Sequence, residues 1–325
     1  MKLFGAKFLL AAAVLVACAQ NSMGQTTPVD PGLPIFTPAE KTTGTVKLAG
    51  SMTMAQLAAI WADSFKKAAP GVEFELVAKG STNAIPSLLN GQADFALLSR
   101  PISEKEVKAF QDKFGYPPTV VVPALEQIAI YVHKDNPIES VTPAQLDALL
   151  SKTLKRGAPK TISTWGELGV KGPLANQPIA AQGRMDETGL QVYIQGVVLV
   201  GGEFRDDMTE HKSGLETLKA IASTPNAIGF GGTALATPDL KAVPLALQEG
   251  QPAIGINTPG YPLVRPLQII LNHPPGKDLS GVQAEFYKHI FSQRGQQDVL
   301  NGGLIPIPAN PALVALQSVG LRVLQ

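Results

Sequence analysis

From Thr45 onward, short β-rich runs alternate with helical periods almost without interruption, and this alternation restricts the fold more than any other feature. "TVKLA" (45–49) gives a strand. It runs into "GSMTMAQLAAIWADSFKKAAP", where Leu57, Ile60, Trp61, Phe65 and Ala68 recur at helical spacing. "VEFELVA" (72–78) is the next strand, "GSTNAIPSLLNG" opens a short helix, and "ADFALLS" (93–99) is a third strand. "SEKEVKAFQDKFG" follows as a helix, with Ser103 as N-cap and Glu106 completing a capping box. Strand, helix, strand, helix, strand calls for a parallel sheet with right-handed crossovers.

Two extended segments break this rhythm. Residues 119–135 are too long for one strand and are interrupted by Pro123 and Glu126, so one strand is expected to leave a lobe and another to enter the next. Residues 261–272 form a second such segment. Between them, Thr142 caps a helix with Pro143 at its first position, "QPIAAQG" (177–183) is a strand, and "DETGLQVYIQGVVLV" is a helix. "SGLETLKAIAS", "AIGFGG" and "KAVPLAL" continue the alternation, and helices near 279–291 and 311–319 close the chain. The expected architecture is α/β and two-lobed, with mixed, mainly parallel sheets and two interlobe crossovers. The first lobe is discontinuous (45–123 and 262–325) and the second continuous (124–261). Such folds bind ligands in a cleft at the carboxyl ends of strands.

The first 18 residues read as an export signal. Lys2 and Lys7 precede the short apolar run "FLLAAAVLVA", and small-residue cleavage sites follow. Cys18 is the chain's single cysteine, so no intrachain disulfide is available. "LVAC" resembles a bacterial lipobox with Cys18 as the lipidated residue; ordinary cleavage after "ACA" or "SMG" is the alternative. Residues 19–44 are polar and Pro/Thr-rich without a sustained period, which reads as a flexible tether. The expected location is the periplasm or the cell surface, with the membrane reached only through such an anchor.

Where strands meet helices, hydroxyls and arginines gather. "GSMT" offers Ser51 and Thr53, "KGST" offers Ser81 and Thr82, "LSR" offers Ser99 and Arg100, and "GRMDETG" offers Arg184, Thr188 and Gly189. Helix N-termini carry unpaired N–H groups and the positive end of the dipole; hydroxyls and guanidinium forks complete a shell of donors around an oxyanion. Ser and Thr are also among the commonest N-caps, so one junction alone indicates only a cap. The coincidence of several indicates an extracytoplasmic cleft for a small anion.

The ordered blocks of the chain resemble the phosphate-binding proteins that feed phosphate ABC transporters, in the type II periplasmic binding fold. "AGSMTM…WADSFKKAAPGVEFELVAKGST" and "LNGQADFALLSRPISEKEVKAF" carry the resemblance, as do "KTISTWGELGVKG", "NAIGFGG", "YPLVRPLQIIL" and "FSQRGQQDVLNGGLIPIP". The resemblance implies ligand contacts from Ser51, Met52 and Thr53, from Gly80, Ser81 and Thr82, and from Ser99 and Arg100. In the second lobe it implies Arg184, Asp186, Thr188 and Gly189. It further implies an ABC-transporter permease as partner, no cofactor and a monomer. Three departures stand out. Met52 stands where the family often has a polar residue, Leu190 replaces a threonine of the family pattern, and Glu187 sets a carboxylate beside the anion site. Asp186 or Glu187 could accept the proton that monohydrogen phosphate carries and sulfate lacks; the alternatives are that Glu187 faces solvent and favours the helix dipole, or that its carboxylate fills the donor pocket itself.

Other classes fit less well. With 27 Lys+Arg against 26 Asp+Glu, the net charge of +1 makes no electrostatic case for nucleic acid. His133, His211, His273 and His289 are dispersed, with no HExxH and no Gly-x-Ser-x-Gly elbow beyond the signal, so no enzyme is expected. A module for sulfate, molybdate or arsenate, or a surface protein with a degenerate phosphate site, is the alternative.

Overall fold

The computed structural model describes residues 29–185 and 188–321, so Cys18 and the signal lie outside the described residues, as do Asp186 and Glu187. In chain order the strands are β1 (Gly44–Gly50), β2 (Val72–Val77), β3 (Phe95–Leu98), β4 (Thr119–His133) and β5 (Ala180–Arg184). They continue as β6 (Thr209–His211), β7 (Ala227–Gly232), β8 (Leu240–Ala242), β9 (Val264–Leu271) and β10 (Ile305–Pro306). The helices are α1 (Met52–Ala68), α2 (Ala84–Leu89), α3 (Glu104–Phe114), α4 (Pro143–Leu150) and α5 (Gly189–Val197). After them come α6 (Gly214–Ser223), α7 (Gly281–Ile290), α8 (Gln293–Asn301) and α9 (Ala309–Ser318).

Two compact units result. The first comprises Thr27–Glu126 and Arg265–Gln325; the second contains Gln127–Val264. The chain thus leaves the first unit after residue 126 and re-enters it at 265, where the sequence placed the crossings after 123 and at 262.

The first unit's sheet runs β2-β1-β3-β9-β4. β1 is parallel to both β2 and β3, with Leu48 opposite Leu76 and Phe95, whereas β9 runs antiparallel to β3, with Leu98 opposite Gln268. Both faces are covered, and the two-residue side-chain period of a strand sorts them. Phe95 and Leu97 join Leu48, Trp61, Phe65 and Phe286 on one side; Ala96 and Leu98 join Ile85, Leu88 and Phe110 on the other. Trp61 is fully buried and donates from its indole to the Gly295 carbonyl at 2.8 Å, which makes it a packing residue.

Two expectations change here. Most of the stretch read as a free tether is docked. Leu33 is buried in the first core, Phe36 stacks on Phe65 at 5.7 Å, and the Gln293 side chain donates to the carbonyls of Pro31 and Leu33. Three apolar residues, Val29, Leu33 and Phe36, together with hydrogen bonds from Gln293 and Ala309, hold a segment whose composition has no period. The 119–135 segment, read as two strands, contains one continuous strand, β4. Its first half pairs with β10 and its second half with β7 and β8, so Pro123 lies inside one strand that serves two ladders.

The second unit's sheet runs β4-β7-β5-β6, with β8 also on β4. β5 is parallel to β6 and β7, and β4 antiparallel to β7 and β8. Ile128, Ile130, Val132, Ile228 and Phe230 face one core; Ala129, Tyr131 and Ala227 face another with Leu218 and Ile221. The capping box read at Ser103 and the N-cap read at Thr142 are both present, and Gln145 completes the Thr142 cap as a second box.

Candidate anion site

Parallel strands in register end together, and in the first unit that brings three separate junctions to one place. Ser51 follows β1, Ser81 follows β2 and Ser99 follows β3. The Ser51 hydroxyl donates to Ser99 Oγ at 2.9 Å, Ser81 Oγ lies 3.4 Å from Ser99 Oγ, and the Ser99 N–H donates to Ser81 Oγ at 3.2 Å. All three serines are buried. Three hydroxyl protons share two oxygen–oxygen contacts, so at least one O–H is left over as a donor.

The backbone at these junctions requires glycine. Gly50 has φ +136°, and a Cβ there would lie 2.2 Å from the Leu97 carbonyl oxygen; Gly80 has φ +100° and donates its N–H to the Gly50 carbonyl at 2.9 Å. Two tight turns therefore stack against each other, and Ser81 begins a short 3-10 turn, Ser81–Asn83, in which Thr82 is exposed.

Ser51 is also the N-cap of α1: its side chain accepts from the Met54 N–H, and the first helical bond runs from Ala55 N–H to the Ser51 carbonyl. The N–H groups of Met52 and Thr53 precede that bond, so they are among the end groups that a helix leaves without intrahelical acceptors. Met52 can offer only that N–H, since its exposed side chain has no polar donor. No acidic residue sits in the first turn of α1 to oppose an anion.

Arg100 behaves differently from its expected role. Its two terminal nitrogens each lie 2.8 Å from an oxygen of Glu106, and one also donates to the Pro101 carbonyl at 3.0 Å. The fork is thus committed to the carboxylate that completes the α3 capping box with Ser103. Burial pushes the Glu106 carboxyl up, but hydrogen bonds from Arg100 and Ser103 outweigh it and hold the group below the usual carboxylate range.

Arg265 is the residue that sequence reasoning missed. β9 begins where the antiparallel β3 ends, so the arginine arrives beside Ser99. Its guanidinium is fully buried. It donates to the Ser99 carbonyl at 2.7 Å, lies 3.5 Å from Thr53 Oγ1, and is held by Glu126 Oε2 at 2.8 Å from Nε and 2.6 Å from Nη2. The only local signal was a charged residue at the head of the apolar run "LVRPLQIIL".

In the second unit, β5 delivers Arg184 to the start of α5. The Arg184 N–H donates to Gln191 Oε1 at 3.1 Å, and its Nη2 donates to the Lys212 carbonyl at 2.9 Å. Thr188 is the N-cap of α5, accepting the Gln191 N–H at 3.3 Å, and Gly189 is the first helical residue. Leu190, where the family pattern has a hydroxyl, is buried in the unit's core beside Tyr193 and Ile194. Its side chain serves packing. Among the described residues no group of three or more His, Cys, Asp or Glu could hold a metal, and no helix is long and apolar enough to cross a membrane.

Residues 37–294 match the family model described as "PBP superfamily domain". The chain is 35% identical, over 97% of its length and 99% of the relative's, to the phosphate-binding protein PstS of Pseudomonas aeruginosa. It is 25% identical over 82% of each chain to the protein of the same name from Bacillus subtilis. Among solved structures, an ABC-type phosphate transport receptor from Vibrio cholerae superposes with a TM-score of 0.62 at 20% identity, covering 80% of this chain and 99% of that one. A domain of the PBP superfamily is thereby defined, with the two-unit α/β architecture described above. Within that superfamily, the chain belongs to the family of the phosphate-binding protein PstS.

Proposed function

We propose that the protein binds inorganic phosphate outside the cytoplasm and delivers it to an ABC transporter. The observation that carries the reading is the convergence of Ser51, Ser81 and Ser99, with at least one hydroxyl proton left for a ligand, in a chain that belongs to the PstS family. The expected donors in the first unit are Ser51, Thr53, Ser81, Thr82 and Ser99, with the main chain of Met52 and Gly80. In the second unit they are Arg184, Thr188 and Gly189. Arg100 acts through Glu106 and the start of α3, not as a ligand fork.

Such sites bind and release; nothing in them requires bond-making, and the family's named role is binding. A permease as partner, a monomeric receptor and lipidation at Cys18 belong to this proposal as well. Serine hydroxyls and helix N–H groups also suit sulfate or molybdate, because every one of them is a donor. Calorimetric titration of the ligand-stripped mature chain with phosphate, repeated in excess sulfate and molybdate, separates these anions. Heat from phosphate that sulfate does not suppress supports the reading; preference for another oxyanion replaces it.

A further inference from the structure

We propose that Arg265, aimed by Glu126, is a positioning residue of the anion site: it fixes the Ser99 main chain and turns the Thr53 hydroxyl proton toward the ligand. This rests on the anion-binding reading above.

The geometry is restrictive. A guanidinium is planar, so its direction is set once two of its bonds are set. Glu126 Oε2 takes the Nε–H of Arg265 at 2.8 Å and lies 2.6 Å from Nη2 as its ion-pair partner. That leaves Nη1 directed at the Ser99 carbonyl, 2.7 Å away, and the remaining face of Nη2 directed at Thr53 Oγ1. Ser99 is then gripped at its carbonyl by Arg265, at its N–H by Ser81 Oγ and at its hydroxyl by Ser51. A serine held at three atoms has one hydroxyl position available, and holding donors in place before the ligand arrives is what makes them effective.

Thr53 is constrained by the same guanidinium. Its oxygen faces a group that can only donate, because arginine carries no acceptor. The Thr53 O–H must therefore point elsewhere, and no carbonyl or carboxylate among the described residues accepts it. Thr53 is half-buried at the second position of α1, beside the free N–H groups of that helix start. An anion seated there meets the hydroxyl proton, not the oxygen. Since Glu126 and Arg265 are the first unit's last residue before the chain leaves and its first on return, one pair both ties the two crossing strands and orients the donors.

Arg265→Lys tests this. Lysine keeps the charge opposite Glu126 but cannot reach Glu126, Ser99 and Thr53 with one compact ammonium. The test is calorimetry of the mature chain with phosphate, sulfate and molybdate for wild type, Arg265→Lys, Thr53→Val and the double variant. We expect Arg265→Lys to remain folded, with the charge opposite Glu126 retained, but to melt below wild type because the buried Ser99 carbonyl loses its donor. Its affinity for the preferred anion should fall at least about tenfold. Thr53→Val should lose about tenfold in the wild-type background and under about threefold in the Arg265→Lys background, the non-additivity of coupled residues. Unchanged affinity in Arg265→Lys, or losses that multiply in the double variant, would overturn the proposal. Should Arg265→Lys fold poorly, the side-chain ¹⁵N resonances of Arg265 in the wild type decide: they should shift on saturation with the anion, and unmoved resonances would count against the role. A wild type that takes up none of the three anions would sink the functional reading and this inference together, a result distinct from a defect confined to the variants.

Discussion

Replacing Ser51 separates two roles that one hydroxyl performs. Ser51→Ala removes the N-cap of α1, the bond to Met54 N–H, and the donor to Ser99 Oγ. Losing a serine cap costs about 1 kcal/mol. In a unit of this size that lowers the melting temperature by about 2–4 °C. The binding effect is larger: a hydrogen bond to a charged ligand contributes about 1.5–3 kcal/mol, roughly tenfold to over a hundredfold in Kd. Ser51→Asp reverses one effect and worsens the other. Aspartate is as good an N-cap as serine and favours the helix dipole, so the melting temperature should return to near the wild-type value. Its carboxylate, however, would sit against Ser99, in the donor cluster. Two like charges about 4 Å apart interact by about 4 kcal/mol at an effective dielectric of about 20, so binding should weaken by about a thousandfold. Differential scanning fluorimetry without ligand and calorimetry with phosphate at pH 8 read the two effects. If Ser51→Asp binds phosphate as well as Ser51→Ala or better, the cluster is not an anion site and the reasoning fails.

Three further outcomes are expected. Arg184→Ala should weaken phosphate binding by at least about thirtyfold, from the loss of a charged donor, while Lys108→Ala, on an exposed surface, should change Kd less than about twofold; equal effects in calorimetry would displace Arg184 from the site. Leu33→Ala should destabilise the chain by about 2–4 kcal/mol as a buried-leucine truncation and open residues 29–43 to limited proteolysis; an unchanged melting temperature and cleavage pattern would restore the tether reading. Glu106 has a lowered folded pKa, so its stabilisation is complete above the ordinary carboxylate pKa of about 4.3 and disappears as pH falls through the lowered value. Glu106→Gln should therefore melt below wild type at pH 7, with the gap closing below about pH 4, and a gap constant in pH would show that the charge does not matter.

How much of this was legible beforehand differs from residue to residue, for physical reasons. The three serine junctions could be read because a hydroxyl after a strand is a local pattern, and parallel pairing brings the ends of β1, β2 and β3 to one edge, where the turns after them complete the cluster. Arg100 and Glu106 were each legible, one as an arginine at a strand end and the other as a capping-box residue; their pairing depends on how the chain turns at Pro101, which no periodicity records. Arg265 was invisible because its partners Glu126, Ser99 and Thr53 are 139, 166 and 212 residues away, and only the antiparallel placement of β9 against β3 assembles them. The docking of 29–43 was hidden by composition: prolines and threonines dilute three apolar contacts below any periodic signal. β4 was misread since Pro123 ordinarily ends a strand, and the sequence does not say that one strand can be shared by two ladders.

Whether donors at these strand ends hold phosphate is decided by titrating the ligand-stripped mature chain with phosphate, with and without excess sulfate. Saturable one-to-one heat with phosphate is expected, surviving sulfate and strongly reduced in Ser99→Ala. No heat and no thermal shift with phosphate, in a chain that is folded by circular dichroism, would contradict the phosphate reading.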